Sequence, residues 1–229
     1  ENAGAIAAAY GSVSAVTFVT AISFLDFQGV DYGGHMIAVM AIMEAPAIIV
    51  GVGLIRYFQR DDFSTQSFSI NDLLRHSLTN GSVLLISGSL VIGFLASEQQ
   101  AEGIRPFTTD IFKGFLAVFL LDKGISSGRH LNVMINKGLY PFVFSTFMPF
   151  IHGLIGLFIG MQITDNPGDQ LLFAILAASA SYIAVPAAMK NAVPAANPSL
   201  YLPMALGITF PINVMVGIPF YHSLINMLM

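Results

Sequence analysis

Seven apolar stretches, each long enough to cross a membrane as a helix, follow one another along this chain with short polar connections between them. We predict them at residues 4–25, 34–58, 77–97, 108–128, 139–162, 170–190 and 200–228. A hydrocarbon layer about 30 Å thick needs roughly 20 apolar residues per helix, and a helix satisfies its backbone hydrogen bonds within itself. Charged residues make up only 10% of the chain, whereas a soluble domain carries about 25%. The sequence therefore predicts an all-α membrane protein, a polytopic helical bundle in a lipid bilayer.

Composition and motifs also exclude several classes of function. The formal net charge is −4, which gives no basic surface and no case for a nucleic-acid partner. The chain has no cysteine, so disulfides and thiolate metal sites are excluded. It has no HExxH, CxxC or glycine-rich phosphate loop, so neither a metalloenzyme nor an NTPase is supported. Because the chain begins at Glu1 without a methionine, we expect that its true N-terminus is missing.

The charged residues of the connections orient the seven predicted spans. The basic residues that share one side are Arg56, Arg60, Arg75, Arg129, Lys137 and Lys190. The acidic residues on the other side are Asp26, Asp31, Glu98, Glu102, Asp165 and Asp169, with Arg105 as the only basic loop residue there. Lys and Arg concentrate in cytoplasmic loops, so the first side is predicted to be cytoplasmic. A multi-pass protein of the bacterial inner membrane with its C-terminus outside is the expected arrangement.

Two matching pairs of segments indicate an internal repeat. Ser12, in the segment G-S-V-S, is followed 34 positions later by Pro46, and Ser179, in A-S-A-S, is followed 32 positions later by Pro211. In each copy small hydroxyl residues interrupt an apolar helix, and a proline-broken helix with a polar side chain follows. The copies lie five spans apart and therefore run in opposite directions, as in transporters built from inverted repeats. A five-helix repeat predicts ten spans, of which seven are present and the first three are missing.

The repeated hydroxyl segments are the first candidate site. A broken helix exposes the N-terminus of its second half, whose unpaired N–H groups and positive partial charge suit a small anion. Close packing of small residues is the alternative explanation for either copy alone, but two antiparallel copies favour a site. The candidate substrate-binding residues in or beside these segments are Ser12, Ser14, Thr17, Ser179, Ser181 and Tyr182.

A carboxylate within an apolar span is the second candidate. Glu44 lies two residues before Pro46, and Thr209 and Asn213 are its counterparts around Pro211. An ionisable group at that depth costs several kcal/mol unless it faces a cavity or a partner. Carboxylate, hydroxyl and amide oxygens could bind sodium, or Glu44 could carry a proton. A protonated, hydrogen-bonded glutamic acid that only bridges helices is the alternative.

One motif raises an enzyme as a competing class. The segment G-I-S-S-G at residues 124–128 matches the G-x-S-x-G serine nucleophile pattern, with His152 or His130 as a possible base of an intramembrane serine protease. However, Ser126 lies between Lys123 and Arg129, which places it near the cytoplasmic interface. We therefore predict that the protein is not an enzyme; a passive channel is the other alternative to a transporter.

At these residues the chain resembles the sodium-dependent bicarbonate permease family (SbtA-like, with the inverted-repeat fold of bile-acid symporters). The stretches that carry the resemblance are G-S-V-S-A-V-T from Gly11, M-E-A-P-A from Met43, A-A-S-A-S-Y-I-A-V-P from Ala177 and V-P-A-A-N-P-S-L-Y from Val193. The last is similar to the family pattern I-P-S-A-N-P-S-x-Y. Together they extend over nearly the whole chain.

The resemblance implies a homotrimer of ten-helix subunits, in which a core domain moves against a gate domain. The present spans would be helices four to ten. The core would comprise residues 1–58 of the first repeat and 129–229 of the second, the gate residues 77–128, and a cytoplasmic loop with an interfacial helix residues 59–76. The anion contacts it implies are Ser12, Ser14, Ala15, Ser179 and Ser181, with sodium ligands nearby. Sodium is the coupling ion and no other cofactor is expected.

This chain also departs from the bicarbonate-transporting members of the family. It has Tyr182 where they have an acidic residue, Glu44 where they have aspartate, and V-P-A at Val185 where they have G-P-P. The cytoplasmic connection at 57–76 is short, so binding of a soluble regulatory partner there stays open. The sequence thus predicts a secondary active transporter that couples sodium to a small anion. Bicarbonate is the first candidate, and another small carboxylate or anion is the second.

Overall fold

The computed structural model describes residues 1–58, 81–135 and 138–228, and every regular element among them is helical. The helices are α1 Asn2–Gly11, α2 Ala15–Gln28, α3 His35–Phe58, α4 Gly81–Leu95, α5 Glu98–Arg105, α6 Phe112–Ile135, α7 Leu139–Ile163, α8 Pro167–Ala178, α9 Ala184–Ala192 and α10 Pro198–Leu228. A π-helical turn, Pro106–Ile111, joins α5 to α6. The prediction of an all-helical protein is confirmed.

Four of the helical stretches are long and apolar enough to span a membrane. They are Asn2–Gln28, His35–Ile55, Leu139–Ile163 and Pro198–Leu228, which match four of the predicted spans closely. The predicted span at 170–190 is divided between the shorter helices α8 and α9. The predicted cytoplasmic loop with its interfacial helix, at 59–76, lies entirely outside the described residues.

The predicted span at 108–128 has different limits in the structure. Its helix is part of a helical run that begins at Glu98 and continues to Ile135, so the predicted connections on either side are partly helical. The serine at position 97 explains the early start, because Ser97 and Gln100 form a capping box that satisfies backbone donors at the beginning of a helix.

The two hydroxyl segments break their helices as predicted. The helix α1 ends at Gly11, the residues Ser12 and Ser14 have extended backbones (ψ 173° and 108°), and α2 begins at Ala15. In the second copy α8 ends before Ser179, which is also extended (ψ 162°), and α9 begins five residues later. Short hydroxyl side chains hydrogen-bond nearby backbone groups and so compete with the helix. We call residues 12–14 the first break and residues 179–183 the second break.

The proline helices are not broken, and that part of the prediction is wrong. Pro46 lies inside α3, which is continuous from His35 to Phe58, and Pro211 lies within α10, which is helical throughout. The segments on either side of Pro211, Pro203–Thr209 and Asn213–Gly217, have π-helical hydrogen bonding. A local π adjustment of this kind accommodates the missing N–H of a proline without ending the helix.

Small residues bring the helices around the breaks into close contact. A Cβ atom added to Gly156 of α7 would lie 2.7 Å from the backbone oxygen of Phe173 in α8. A Cβ added to Gly51 of α3 would overlap Ala8 of α1. Such contacts are typical of membrane helices, where close backbone approach replaces hydrophobic burial as the source of packing energy. They fix the first half of each broken helix against a continuous helix.

Two further hydrogen bonds connect the halves of the chain at the starts of the broken helices. Asn2 and Asp169 each lie ten residues before the first serine of a break. The Oδ1 atom of Asn2 accepts from the Asn197 N–H at 2.8 Å, and Oδ1 of Asp169 accepts from the Gly33 N–H at 2.6 Å. In both cases the acceptor begins a broken helix, and the donor belongs to the loop before the long helix of the other half.

Candidate functional site

The two breaks contact each other in the interior of the protein. The Ser14 N–H donates to the Ser179 hydroxyl at 2.9 Å, and the Ser181 N–H donates to the Ala9 carbonyl at 2.8 Å. The Ser179 hydroxyl in turn donates to the Leu176 carbonyl at 2.9 Å. Ala9 and Leu176 each lie three residues before the first serine of their break. The structure therefore brings the two predicted segments together through nearly equivalent bonds. Ser181 bonds Ala9 directly, whereas the Ser179 hydroxyl is inserted between Ser14 and Leu176.

A small cavity lies between the breaks. Its volume is about 60 Å³, roughly that of two water molecules in the liquid. It is lined by Val13, Ser14, Ala15, Val16, Glu44, Ser181, Tyr182, Ile183 and Ala184. The predicted residues Ser12, Thr17 and Ser179 do not line it, but each is hydrogen-bonded to a residue that does. Thr209 and Asn213, which were predicted as cation ligands, are also not among the described residues that line the cavity.

Two helix N-termini face this cavity. The N–H groups of Ala15 and Val16 at the start of α2 have no partner within the described part of the chain, and neither do those of Ile183 and Ala184 at the start of α9. The first N–H groups of any helix lack intrahelical acceptors and carry the positive end of the helix dipole. The cavity is therefore rich in backbone donors.

The four predicted serines divide into two roles. Ser14 accepts from the Thr17 N–H (3.3 Å) and the Thr17 hydroxyl (3.0 Å), and Ser181 accepts from the Val185 N–H (3.2 Å). Each of these hydroxyls lines the cavity and still has its own hydrogen to donate. In contrast, Ser12 donates to the Glu44 carbonyl at 3.4 Å, and Ser179 donates to a backbone carbonyl, so both are engaged in holding the breaks.

Tyr182 supplies a further donor. Its side chain is buried, with 7% of the residue exposed, and its ring meets the ring of Phe210 edge-on at 5.6 Å. The hydroxyl lies near Ser14 but completes no hydrogen bond to any described residue. An unpaired buried polar group costs about 1–3 kcal/mol. This hydroxyl is thus available to a molecule in the cavity.

Glu44 is the only acidic residue in the described lining of the cavity. It lies mid-helix in α3 and is 7% exposed. Its hydrogen bond to Ser12 uses the backbone carbonyl, and its carboxyl group has no partner among the residues that the structure describes. A carboxylate so placed needs a cation or a proton. The cavity thus combines donors for an anion with one acidic group.

The other two predicted cation ligands lie on α10. Asn213 donates to the Ala178 carbonyl at 2.8 Å, and its own Oδ1 is buried without a partner in the described chain. The Thr209 hydroxyl donates to the Ser145 carbonyl at 2.8 Å and lies 2.7 Å from the Tyr10 hydroxyl. Asn213 therefore has a free oxygen beside the second break, whereas Thr209 is engaged in packing.

The G-x-S-x-G segment is not a nucleophile site. It lies inside the continuous helix α6, whereas a serine nucleophile of this pattern sits on a sharp turn between a strand and a helix. Ser127 donates to the Leu206 carbonyl at 2.6 Å and thus connects α6 to α10. The side chain of His130 is outside the described part of the structure. The segment is explained by helix packing.

Sequence reasoning missed several members of the site. Free backbone N–H groups at the breaks were predicted, but Val16, Ile183 and Ala184 were not named as the residues that supply them. Asp169 was read only as an external charge, yet it is 4% exposed and bonded to Gly33. No sequence signal identified its partner, because a contact over 136 positions depends on the fold.

Comparison with known proteins identifies the family of the chain. A sequence model of a protein family described as the Na+-dependent bicarbonate transporter superfamily matches residues 1–226. A search of curated proteins finds no match. The family is one of transporters and not of enzymes, which confirms the predicted class of function.

Proposed function

The chain belongs to the Na+-dependent bicarbonate transporter superfamily, and from this premise we propose where and how it binds its substrates. In this proposal bicarbonate occupies the cavity between the two breaks, and sodium is a second substrate that neutralises Glu44. The observation that carries the proposal is the meeting of two helix N-termini, each with free N–H groups, around one small cavity.

The donors of the cavity suit an oxyanion. Ser14 and Ser181 each have a hydroxyl hydrogen to give, and the N–H groups of α2 and α9 point to the same space. Helix N-termini at a break are the recurrent anion sites of transporters with inverted repeats. A volume of about 60 Å³, about twice the roughly 30 Å³ that a water molecule occupies in the liquid, suits an anion of only a few heavy atoms. This size favours bicarbonate over a longer carboxylate.

The carboxyl group of Glu44 explains why a cation is required. An anion bound near an ionised Glu44 is repelled by it, by about 3 kcal/mol for charges roughly 5 Å apart at an effective dielectric constant of 20. Sodium bound to Glu44 removes that repulsion, so each substrate promotes binding of the other. The unpaired Oδ1 of Asn213 is the second candidate ligand for sodium. Thr209 is not included in this proposal, because its hydroxyl already has two partners.

The arrangement of the helices supports transport by two inverted repeats. The bonds of Asn2 to Asn197 and of Asp169 to Gly33 relate the two halves in the way that a two-fold axis in the membrane plane would require. In the proposal residues 1–58 and 129–229 form the moving core and 77–128 the gate. An apolar crevice of about 560 Å³ separates α2 from α6, at the boundary where the two would slide. A homotrimer in the inner membrane, with the C-terminus outside, completes the proposal.

Uptake of labelled bicarbonate into proteoliposomes tests this function. We expect uptake against a gradient with an inward sodium gradient, and none after a sodium ionophore collapses it. The double variant Ser14→Ala with Ser181→Ala is expected to lose uptake while Ser223→Ala, at an exposed position, retains it. A passive channel would instead give uptake without a sodium gradient and no concentration. Uptake that is unchanged without sodium, or that survives the double variant, would refute the proposal.

A further inference from the structure

We propose that Tyr182 determines which anion the site accepts. In this inference its hydroxyl donates a hydrogen bond to one oxygen of the bound anion, and its ring closes the cavity against larger anions. The inference rests on the proposed function and adds to it the substrate class, a small planar oxyanion. Tyr182 thus determines selectivity, whereas Ser14 and Ser181 supply affinity.

The geometry of Tyr182 fits a fixed donor. The residue belongs to the second break and lines the cavity, and its hydroxyl is buried without a partner among the described residues. The edge-on contact with Phe210 holds the ring, so its hydroxyl cannot rotate away to solvent. A buried polar group without a partner is rare in native proteins, and a bound molecule is one of its accepted explanations.

Tyr182 adds direction to a site that would otherwise bind anions by charge alone. The backbone N–H groups and the two serine hydroxyls attract any small anion, including a halide. A rigid O–H donor at a fixed point favours an anion with an oxygen at that point, because without the oxygen the hydroxyl stays unpaired. The ring also limits the space beside the second break, so a longer carboxylate would overlap it. Bicarbonate meets both conditions.

Another buried tyrosine provides a matched control. Tyr201 is 1% exposed and its hydroxyl is also without a partner in the described chain, but it does not line the cavity. The variants Tyr182→Phe and Tyr201→Phe therefore remove the same group from equally buried positions. If the two hydroxyls had only structural roles, both variants would be as stable as the parent or more so, and neither would alter substrate affinity.

The experiment measures sodium-dependent bicarbonate uptake and its inhibition by chloride, acetate and lactate in proteoliposomes. We expect Tyr182→Phe to raise the KM for bicarbonate by roughly tenfold to a hundredfold, as for a lost hydrogen bond to a charged group. Its inhibition by chloride should increase relative to bicarbonate, whereas Tyr201→Phe should match the parent. Tyr182→Ala should allow lactate to compete, whereas acetate, which has as many heavy atoms as bicarbonate, is the control for size. Thermal unfolding without substrate should show Tyr182→Phe to be no less stable than the parent.

Two negative results are distinguishable. If the parent protein itself shows no sodium-dependent bicarbonate uptake, the proposed function fails. If the parent transports bicarbonate but Tyr182→Phe has a KM within about twofold of it and the same order of inhibitors, only the role of Tyr182 fails. An equal rise in KM for Tyr201→Phe would also refute that role, because it would show a general effect of removing a buried hydroxyl.

Discussion

The first and second breaks have the same serine spacing but differ in how the following helix begins. In the first, only residues 12–14 leave the helix, and Ser14 caps α2 by accepting from Thr17. In the second, residues 179–183 are outside a helix, and α9 begins after Ile183, which provides no side-chain cap. The first break is therefore capped by the residue directly before its helix, whereas in the second the Val185 N–H is satisfied from further back, by Ser181.

This difference separates two tasks that one site must perform. A capped helix start holds its free N–H groups in a fixed direction. Such groups can bind any small anion without selecting among them. A longer break can contain a residue such as Tyr182, whose side chain could select among anions. The two breaks also differ in the charge of the residue beside them. Glu44 is bonded through its backbone carbonyl to the first break, whereas the uncharged Asn213 is bonded to Ala178, next to the second.

The largest expected effect comes from removing the charge of Glu44, the acidic residue beside the first break. Glu44→Gln should lower sodium-driven uptake by roughly a hundredfold, the factor that corresponds to about 3 kcal/mol, since sodium loses its ionised ligand. Bicarbonate should then stabilise the protein against thermal unfolding equally with and without sodium, because the repulsion is gone. Glu102→Gln, at an exposed position, is the control. Sodium-dependent uptake at the parent rate in Glu44→Gln would contradict the role of Glu44.

Single serine variants should reveal which break contributes more. Ser14→Ala removes a donor to the anion and the acceptor of two hydrogen bonds from Thr17, whereas Ser181→Ala removes a donor and the acceptor of one. We expect each to raise the KM for bicarbonate by roughly tenfold or more, and Ser14→Ala also to lower stability by about 1 kcal/mol through the lost cap. Initial uptake rates and thermal unfolding would measure both. A larger loss for Ser181→Ala would reverse the comparison.

A smaller effect on the KM for bicarbonate is expected from Thr17, which supports Ser14 of the first break. Thr17→Val removes the hydroxyl that donates to Ser14 but keeps the shape of the side chain. Losing one hydrogen bond of about 1 kcal/mol should raise the KM about fivefold by leaving Ser14 less well oriented. Thr20→Val is the matched control, since among the described residues the Thr20 hydroxyl bonds only the Val16 carbonyl of its own helix. Equal KM values for both variants would show that the support of the first break does not affect binding.

The smallest effect on transport is expected at the ends of the broken helices. Asp169→Ala should lower the free energy of unfolding by about 1 kcal/mol, because it leaves the half-buried Gly33 N–H without its acceptor. Asn2→Ala should cost less, because its bond to Asn197 is exposed and water can replace it. Chemical denaturation in detergent would measure both, with KM expected to change less than twofold. A change in KM comparable to that of Ser14→Ala would place these residues in the transport mechanism.

Much of the fold followed from local features of the sequence. The apolar stretches gave four spans that agree closely with the structure, and the Ser12 and Ser179 segments gave the positions of both breaks. Pro46 misled, because a proline in a membrane helix ends it only where no neighbouring group accommodates the lost N–H. The limits of the span at 108–128 were also wrong, since a capping box at Ser97 extends the helix beyond its apolar part.

The roles within the site could not be predicted in the same way. Four serines at equal spacing look equivalent in the sequence, yet Ser12 and Ser179 donate to backbone carbonyls while Ser14 and Ser181 retain hydrogens that face the cavity. Likewise Thr209 and Asn213 are both oxygen donors near Pro211, but only Asn213 has an oxygen without a partner in the described chain.

The amino-acid sequence alone determined that this protein is a helical membrane bundle, that the two hydroxyl segments break their helices, and to which family the chain belongs. Hydropathy and local competition for backbone hydrogen bonds act over a few residues, so these properties are readable along the chain. The tertiary structure alone decided that the two breaks meet, that Tyr182 and Glu44 enclose the same cavity, and which hydroxyls are left to bind an anion. Those facts depend on hydrogen bonds such as Ser14 to Ser179, across 165 positions, whose partners are chosen only when the helices have packed.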